Sequence, residues 1–363
     1  MIYFLTTSAT DGWLSSVGIR SFLAFCTAFF IAVVLGKPIV RWLGVKQKKG
    51  QPLRDYGPTW HAFEKSGTPT MGGVIILLAL IVASVLWIRP DAVQIWAVLA
   101  LTCLFGLIGF VDDLTKIAQF TTKGLSARIR LLAECLCAFG FVIWVAHFTP
   151  QDVRTQIIFP FFGSQGIDIG IFFFIFSTFI IVGAGNAVNF TDGLDGLATT
   201  QFVTCAAFLF VVSAIIGGIL NIGTLNVIDT FNVFHIPNSV EFCVLLGAAA
   251  GAGLGFLWYN AQPAQVFMGD TGSLAIGGFL GSTAVALKQE IVFAIIAGVF
   301  VMEAISVILQ IGSFRLRKGK RIFLMAPIHH HFEKLGWKES LIISRFWIIS
   351  VVLGVCALTV MSA

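Results

Sequence analysis

The sequence predicts an all-α integral membrane protein of about ten transmembrane helices, and three observations carry that prediction. Of the 363 residues, 57% are hydrophobic and 11% charged, where a soluble domain carries roughly 25% charged. Runs of about 20 apolar residues, each enough to cross ~30 Å of hydrocarbon, recur along almost the whole length. They centre near residues 28, 80, 101, 139, 178, 209, 249, 280, 300 and 352. The cations are one-sided: Lys37 to Lys65 hold seven Lys and Arg, Lys116 to Arg130 four, and Arg315 to Arg345 eight, so 19 of 23 follow odd-numbered spans. The other face keeps Arg20, Arg89, Arg154 and Lys288. By the positive-inside rule the odd-span connections are cytoplasmic and both termini lie outside. The chain reads as one polytopic domain, 1–363, and its net charge of +5 reflects topology and asks for no nucleic-acid partner.

Residues 1–17 contain no Lys or Arg, so the first run lacks the basic region of a cleavable signal peptide and reads as a retained span. The connection after it ends in GTPTMGG (67–73), where Lys65 and Thr70 set a cation and a hydroxyl beside glycines at the membrane edge. A plain Gly/Pro turn fits that stretch equally well. Span three delivers Asp112 and Asp113 to its cytoplasmic end, with Lys116 following. A charged residue at mid-span costs about 2.5 to 3.5 kcal/mol, less near the interface, so the pair is tolerable there but not free. Neighbours on a helix point ~100° apart, which predicts different tasks for the two acids, one facing a reactant and the other a cation or Lys116. In span four, Glu134 stands within about a turn and a half of Arg128 and Arg130, an ion-pair spacing. The outer segment 149–169 mixes Pro160, Gly163 and Gly166 with Ile157-Ile158-Phe159, the pattern of a small hairpin.

The connection into span six, NFTDGLDG (189–196), sets Asp192 and Asp195 three apart, on one helix face, with Gly193 and Gly196 beside them. Span six runs inward to outward, so its N-terminus faces the cytoplasm and suits phosphate oxygens. Span seven ends near Asn260, and span eight repeats the arrangement with MGDTGS (268–273). For either loop alone, Asp192, Asp270 and Thr271 read as ordinary N-caps; two such loops beside an acidic pair favour a site. The segment 312–345 carries cations from Arg315 to Arg321, then Phe332, Leu335 and Trp337, the pattern of an amphipathic helix lying against anionic headgroups. Within it PIHHHFE (327–333) holds three adjacent histidines that cannot all face one ion. One or two suit a phosphate while a third holds the loop; zinc would want i, i+4 spacing or thiolates. The seven cysteines show no disulfide or zinc spacing and read as small hydrophobes.

All of these polar motifs fall on the cytoplasmic side of the topology. Carboxylates, helix N-termini, Lys and His together are the parts of Mg²⁺-assisted phosphoryl transfer, where catalysis is mainly positioning and charge neutralisation. The sequence contains no Walker motif. The residues point to a membrane enzyme that handles a phosphorylated cytosolic substrate at the interface, with a lipid phosphate as a natural acceptor.

GTPTMGG, FVDD, NAVNFTDGLDGLA, FMGDTGS and APIHHHFE, in this order across ten spans, resemble the phospho-N-acetylmuramoyl-pentapeptide-transferases, the bacterial translocase I family of the polyprenyl-phosphate N-acetylhexosamine-1-phosphate transferase superfamily. The resemblance covers essentially the whole chain. It implies transfer of phospho-N-acetylmuramoyl-pentapeptide from UDP-MurNAc-pentapeptide to undecaprenyl phosphate, giving lipid I and UMP in peptidoglycan synthesis. It also implies Mg²⁺, a homodimer, an inner-membrane location with periplasmic termini, and a cytoplasmic-face active site. Carried over by motif, the catalytic set is Asp112, which takes the proton from or orients the lipid phosphate, with Asp113, Asp270 and His329. Asp270 is the foremost Mg²⁺ ligand and Asp113 the second candidate. Asn189, Asp192, Gly193, Leu194 and Asp195 would line the nucleotide-sugar pocket, Phe267 would stack on the uracil, and Asn260 would assist near the metal. Lys65, Thr70 and Lys116 would contact phosphates or sugar, His329 with His330 would support the diphosphate, and His331 would be a further substrate-binding residue.

The sibling transferases that move a GlcNAc phosphate onto a polyprenyl phosphate share the acidic pair but tend toward a His-x-His-His pattern, so PIHHHFE and GTPTMGG fit the first family better. A transporter is the rival from another class, because intramembrane acids such as Glu134 and Glu303 commonly mark ion paths. Carriers keep their sites near mid-membrane, whereas these acids crowd to one surface. Glu303 finds no place in this reading.

Overall fold

A helix covers each of the ten predicted centres in the computed structural model, which describes residues 16–47, 67–119, 124–160, 166–219, 236, 238–362 and the backbone of 221–222 and 225–226. The helices are α1 (Val17–Lys46), α2 (Gly73–Trp87), α3 (Val93–Gln119), α4 (Ala127–Phe148), α5 (Phe172–Thr191), α6 (Leu197–Ile216), α7 (Glu241–Asn260), α8 (Gly269–Ala286), α10 (Gly298–Leu316) and α12 (Glu339–Met361). Two short helices complete the order, α9 (Glu290–Ile296) before α10 and α11 (Ile328–Lys334) before α12. Among the described residues, eight helices are long and apolar enough to cross a membrane; α2 is apolar but only 15 residues long, and α8 falls outside the eight. In the 149–169 segment β1 (Gln156–Ile157) pairs antiparallel with β2 (Ile167–Asp168). A second ladder, β3 (Asn221–Ile222) with β4 (Leu225–Asn226), stands where no strand was expected.

The position of α8 explains its modest apolarity. Every residue from Thr271 to Ala286 is buried, so its Gly, Ser and Thr side chains face other helices instead of lipid. Inside a membrane, helices gain little from apolar surface and associate through close approach of small residues. The same logic joins α7 to α1: Gly247, Gly251 and Gly255 form a stripe on α7, and a Cβ on Gly251 would lie 2.2 Å from the Phe25 carbonyl oxygen. Backbone cannot yield as a side chain can. Gly251→Leu is therefore expected to separate α1 from α7 and lower stability by at least the ~1–3 kcal/mol of ordinary overpacking; an unchanged thermal unfolding midpoint in detergent would refute this. Outward, the bundle shows Phe22, Phe30, Leu136, Phe172, Phe179 and Val355, the apolar surface that lipid requires.

Of the four cations outside the basic connections, three have local partners. Arg20 makes a buried two-pronged ion pair with Glu241 and donates to the Trp87 carbonyl at 3.3 Å, joining α1, α7 and α2. Arg89 lies 2.5 Å from Asp91, whose carboxyl it holds below the usual range. Lys288, between α8 and α9, donates to the Arg154 carbonyl at 3.1 Å and sits 3.6 Å from the Phe173 ring centroid; burial pushes its ammonium down to about 8. In the 312–345 segment helix is limited to the end of α10, the seven residues of α11 and the start of α12. Phe332 stacks on Trp337 at 4.6 Å and meets Phe346 edge-on at 5.9 Å, so these aromatics face α12, while Leu335 is exposed. All seven cysteines are free; Cys205 and Cys243 are buried, and Cys356 is exposed on α12.

Candidate active site

Residues distant in sequence meet where α3 and α5 close and α4 and α8 begin. Asp112 and Lys116 are one turn apart on α3, and Lys116 Nζ lies 2.5 Å from Asp112 Oδ2 and 2.5 Å from Oδ2 of Asp270, in the first turn of α8. Asp112 Oδ1 accepts from the Leu125 N–H at 2.7 Å. Asn189, near the end of α5, donates to Asp270 Oδ1 at 2.7 Å and to Ser273 Oγ at 2.8 Å. Arg130 on α4 reaches Asp270 Oδ2 at 3.4 Å and is held by Glu134 at 3.5 Å, the pair that the spacing predicted. Asn186 accepts from Arg130 at 3.3 Å and donates to Glu134 at 2.6 Å, closing the ring.

The two neighbouring acids do diverge, with a result that departs from expectation. Asp113 Oδ1 accepts from the Asp270 N–H at 3.2 Å, and Oδ2 accepts from the Thr271 N–H at 2.9 Å and its hydroxyl at 2.7 Å. A carboxylate from α3 thus caps α8, satisfying its first donors and matching the positive end of its dipole. The start of α8 is consequently filled by Asp113 and is not the open phosphate cradle expected. Asp113 is also a poorer metal candidate than the sequence suggested, since it is buried and both oxygens are engaged. Gly269 permits this approach: its φ is +73°, and a Cβ would lie 2.6 Å from Asp113 Oδ2 and 2.7 Å from Thr70 Oγ1. The Thr70 hydroxyl is buried with no hydrogen-bond partner among the described residues, while its backbone is clasped by Gln47 at 2.9 and 3.1 Å. Backbone bonds from Phe267 N–H to Pro69 (2.8 Å), Gly72 N–H to Phe267 (2.9 Å) and Gly73 N–H to Met268 (2.9 Å) lay GTPTMGG beside MGDTGS.

A second departure concerns 192–196. Asp192 closes α5 and α6 starts at Leu197 behind Gly196, whose φ is +80°, so Asp192 and Asp195 lie in a turn and not on a helix face. Asp195 Oδ2 accepts from the Ala264 N–H at 3.0 Å and its own N–H donates to Glu339 at 2.6 Å, tying the turn to the 261–267 loop and α12. Leu194 is buried among Leu197, Val299, Ile342 and Phe346 and faces that core, not a pocket. Asn260 is buried too, accepting from Thr199 at 2.8 Å and donating to the Val266 carbonyl at 3.0 Å, so both ends of its amide hold protein walls where a place near the metal was expected. Gly193 lies directly against His329: a Cβ there would be 2.4 Å from Nε2. Buried His329 also has Nδ1 3.1 Å from Glu303 Oε2. His330 Nδ1 is 2.5 Å from Glu333. His331 accepts from the Leu324 N–H at 3.2 Å, the loop-holding bond expected of one of the three histidines. Asn189 lies near the end of α5 and Gly193 in the turn that follows, so the acidic and histidine groups share one helix end. Lys65 lies outside the described residues.

The glycosyl transferase family 4 model matches residues 95–288, and signature 1 of phospho-N-acetylmuramoyl-pentapeptide-transferase matches 65–77. Proteins named phospho-N-acetylmuramoyl-pentapeptide-transferase from Phenylobacterium zucineum (strain HLK1), Maricaulis maris (strain MCS10) and Gluconobacter oxydans (strain 621H) are each 47% identical to the chain. The matches span 345, 340 and 339 residues, covering 93%, 92% and 93% of this chain and 91%, 91% and 92% of those proteins. The chain belongs to the phospho-N-acetylmuramoyl-pentapeptide-transferase family. Four of the motifs named from sequence, GTPTMGG, FVDD, NFTDGLDG and MGDTGS, meet at this place.

The transferase's donors suit Mg²⁺. Asp112 and Asp270 direct oxygens at a point where an ammonium already sits, and the Thr70 hydroxyl lacks a partner among the described residues. Three carboxylates (Asp112, Asp270, Glu134) face two cations (Lys116, Arg130). Among the described residues no three His, Cys, Asp or Glu groups form a ready metal cage. Mg²⁺ characteristically takes one or two carboxylates and completes its shell with substrate phosphates and water. Sequence reading gave no role to Asn186, Gln47 and Glu339. Asn186 had left a signal, since it stands three residues before Asn189 on one face of an apolar helix; Gln47 and Glu339 had none, because their partners come from other segments.

Proposed function

We propose that this protein transfers phospho-N-acetylmuramoyl-pentapeptide from UDP-MurNAc-pentapeptide to undecaprenyl phosphate, releasing UMP and forming lipid I at the cytoplasmic face of the bacterial inner membrane. The carrying observation is that Asp112, Lys116, Asn189 and Asp270 converge on one point at the bundle end, in a chain 47% identical over 93% of its length to transferases of that name. Ten membrane-crossing helices with periplasmic termini and a homodimeric state complete the proposal. The topology is supported by the 19 of 23 cations on one set of connections, and by the local partners that hold Arg20, Arg89 and Lys288 on the other.

In the reaction an oxygen of the lipid phosphate bonds to the sugar-linked phosphorus as that phosphorus parts from the UMP oxygen. One pyrophosphate linkage replaces another, so the step is near balance and needs no nucleotide hydrolysis. Asp112 orients the acceptor phosphate and takes its proton, leaving direct attack as the favoured route over a covalent phospho-Asp. Asn189 holds Asp270 through Oδ1, and Lys116 with Arg130 offsets negative charge around it. Asp270 would hold Mg²⁺, which would supply charge neutralisation at the diphosphate. Asp192, Gly193, His329, His330 and Phe267 form the side on which the nucleotide-sugar rests. The purified protein given UDP-MurNAc-pentapeptide, a polyprenyl phosphate and Mg²⁺ should release UMP, and UDP-GlcNAc in its place should give no product. Efficient turnover of UDP-GlcNAc would move the chain to the sibling chemistry, and no UMP from either would reject the proposal.

A further inference from the structure

We infer that Glu303, a residue with no place in the motif reading, is the positioning residue of His329: it holds the Nδ1 proton and thereby turns Nε2 toward the Asp192–Gly193 turn at the edge of the active site. The inference rests on the transferase reading above. Glu303 stands on α10 among Val301, Met302, Ala304 and Ile305, and it is fully buried. A carboxylate so placed is expensive unless something pairs with it. Its one ionic partner among the described residues is His329, whose Nδ1 lies 3.1 Å from Oε2 and whose backbone N–H points at the same oxygen from 3.5 Å.

His329 is fully buried as well. One edge of its ring meets Glu303 and the other meets Gly193, where a Cβ would stand 2.4 Å from Nε2 and 3.0 Å from Cε1. Neither ring nitrogen has a regular hydrogen bond among the described residues: Nδ1 stands at ion-pair distance from Glu303 Oε2, and Nε2 lies against Gly193. A carboxylate accepts only, so an Oε2 at 3.1 Å favours the tautomer with its proton on Nδ1 and leaves Nε2 for the turn. The His330 ring, tilted 57° at 4.1 Å, further limits rotation. With Nδ1 turned to Glu303, Nε2 is the ring atom that the nucleotide diphosphate would meet in the turn.

The test is a double-mutant cycle on kcat for UMP release with Glu303→Gln and His329→Ala in the purified full-length protein. Glu303→Gln should lower kcat about 10–100-fold, the range for removing a carboxylate that orients a working histidine, with KM for the nucleotide-sugar changed much less. In the His329→Ala background the same substitution should change kcat less than about twofold. Equal losses in both backgrounds, or no loss in the first, would overturn the positioning role. Should His329→Ala itself leave turnover intact, the site reading fails before this one is reached. Nitrogen-15 spectra of the histidine-labelled wild type give a check that needs no functional variant. The resonances that vanish in His329→Ala should show Nδ1 protonated; a bare Nδ1 with the proton on Nε2 alone overturns the inference.

Discussion

Asp270→Asn is expected to abolish UMP release while leaving the helix bundle standing. The carboxylate gathers Lys116 at 2.5 Å, Arg130 at 3.4 Å and Asn189 at 2.7 Å, so its charge is what draws three helices' side chains to one point. Asparagine keeps the shape but offers Lys116 and Arg130 no charge, and it removes the ligand proposed for Mg²⁺. A loss on the order of 10³-fold in kcat is expected, the upper range for deleting one preorganised electrostatic group. Stability should hold, because α8 is capped through the backbone N–H of Asp270 by Asp113, and that contact does not involve the Asp270 side chain. The discriminating measurement is UMP release alongside thermal unfolding. Turnover above roughly a tenth of wild type would remove Asp270 from the reacting centre.

The largest stability effect is expected at the opposite end of the bundle. Arg20 and Glu241, 221 residues apart, pair with both guanidinium prongs, and their side chains are only 3% and 4% exposed. Breaking one partner of a buried pair leaves an uncompensated charge and costs about 3–5 kcal/mol. Arg20→Met or Glu241→Gln alone should therefore lower the unfolding midpoint in detergent strongly. The double variant Arg20→Met with Glu241→Leu should recover much of that loss, since a desolvated ion pair gains little over well-packed apolar groups. Additive losses would show that the pair is not the source of the effect.

Several roles in the candidate site were legible in the sequence for local reasons. Asp112 with Lys116 and Glu134 with Arg130 are i, i+4 pairs, and such neighbours are fixed by helical periodicity wherever the helix goes. The ~100° divergence of Asp112 and Asp113 was likewise predictable, but not what Asp113 would meet: its partner Thr271 lies 158 positions away. The Asp192–Asp195 pair was misread as helical because apolar sequence continues on both sides, and only Gly196 in the left-handed region marks the break. His331 and His329 are indistinguishable in a run of three histidines. Their roles separated once Leu324 and Glu303 approached from different sides.

By itself the sequence determined the membrane class, the one-sided placement of the motifs and the chemistry they suit. Those properties are sums along the chain: apolar length, cation count and residue type need no knowledge of what packs where. Tertiary structure alone decided which acid faces Lys116 and Asp270, which acid caps α8, which histidine is buried against Gly193, and why α8 can be rich in glycine at the centre of a membrane bundle. Each of these depends on contact between segments remote in sequence, and such contacts are chosen by how whole helices pack and not by any residue's own preference.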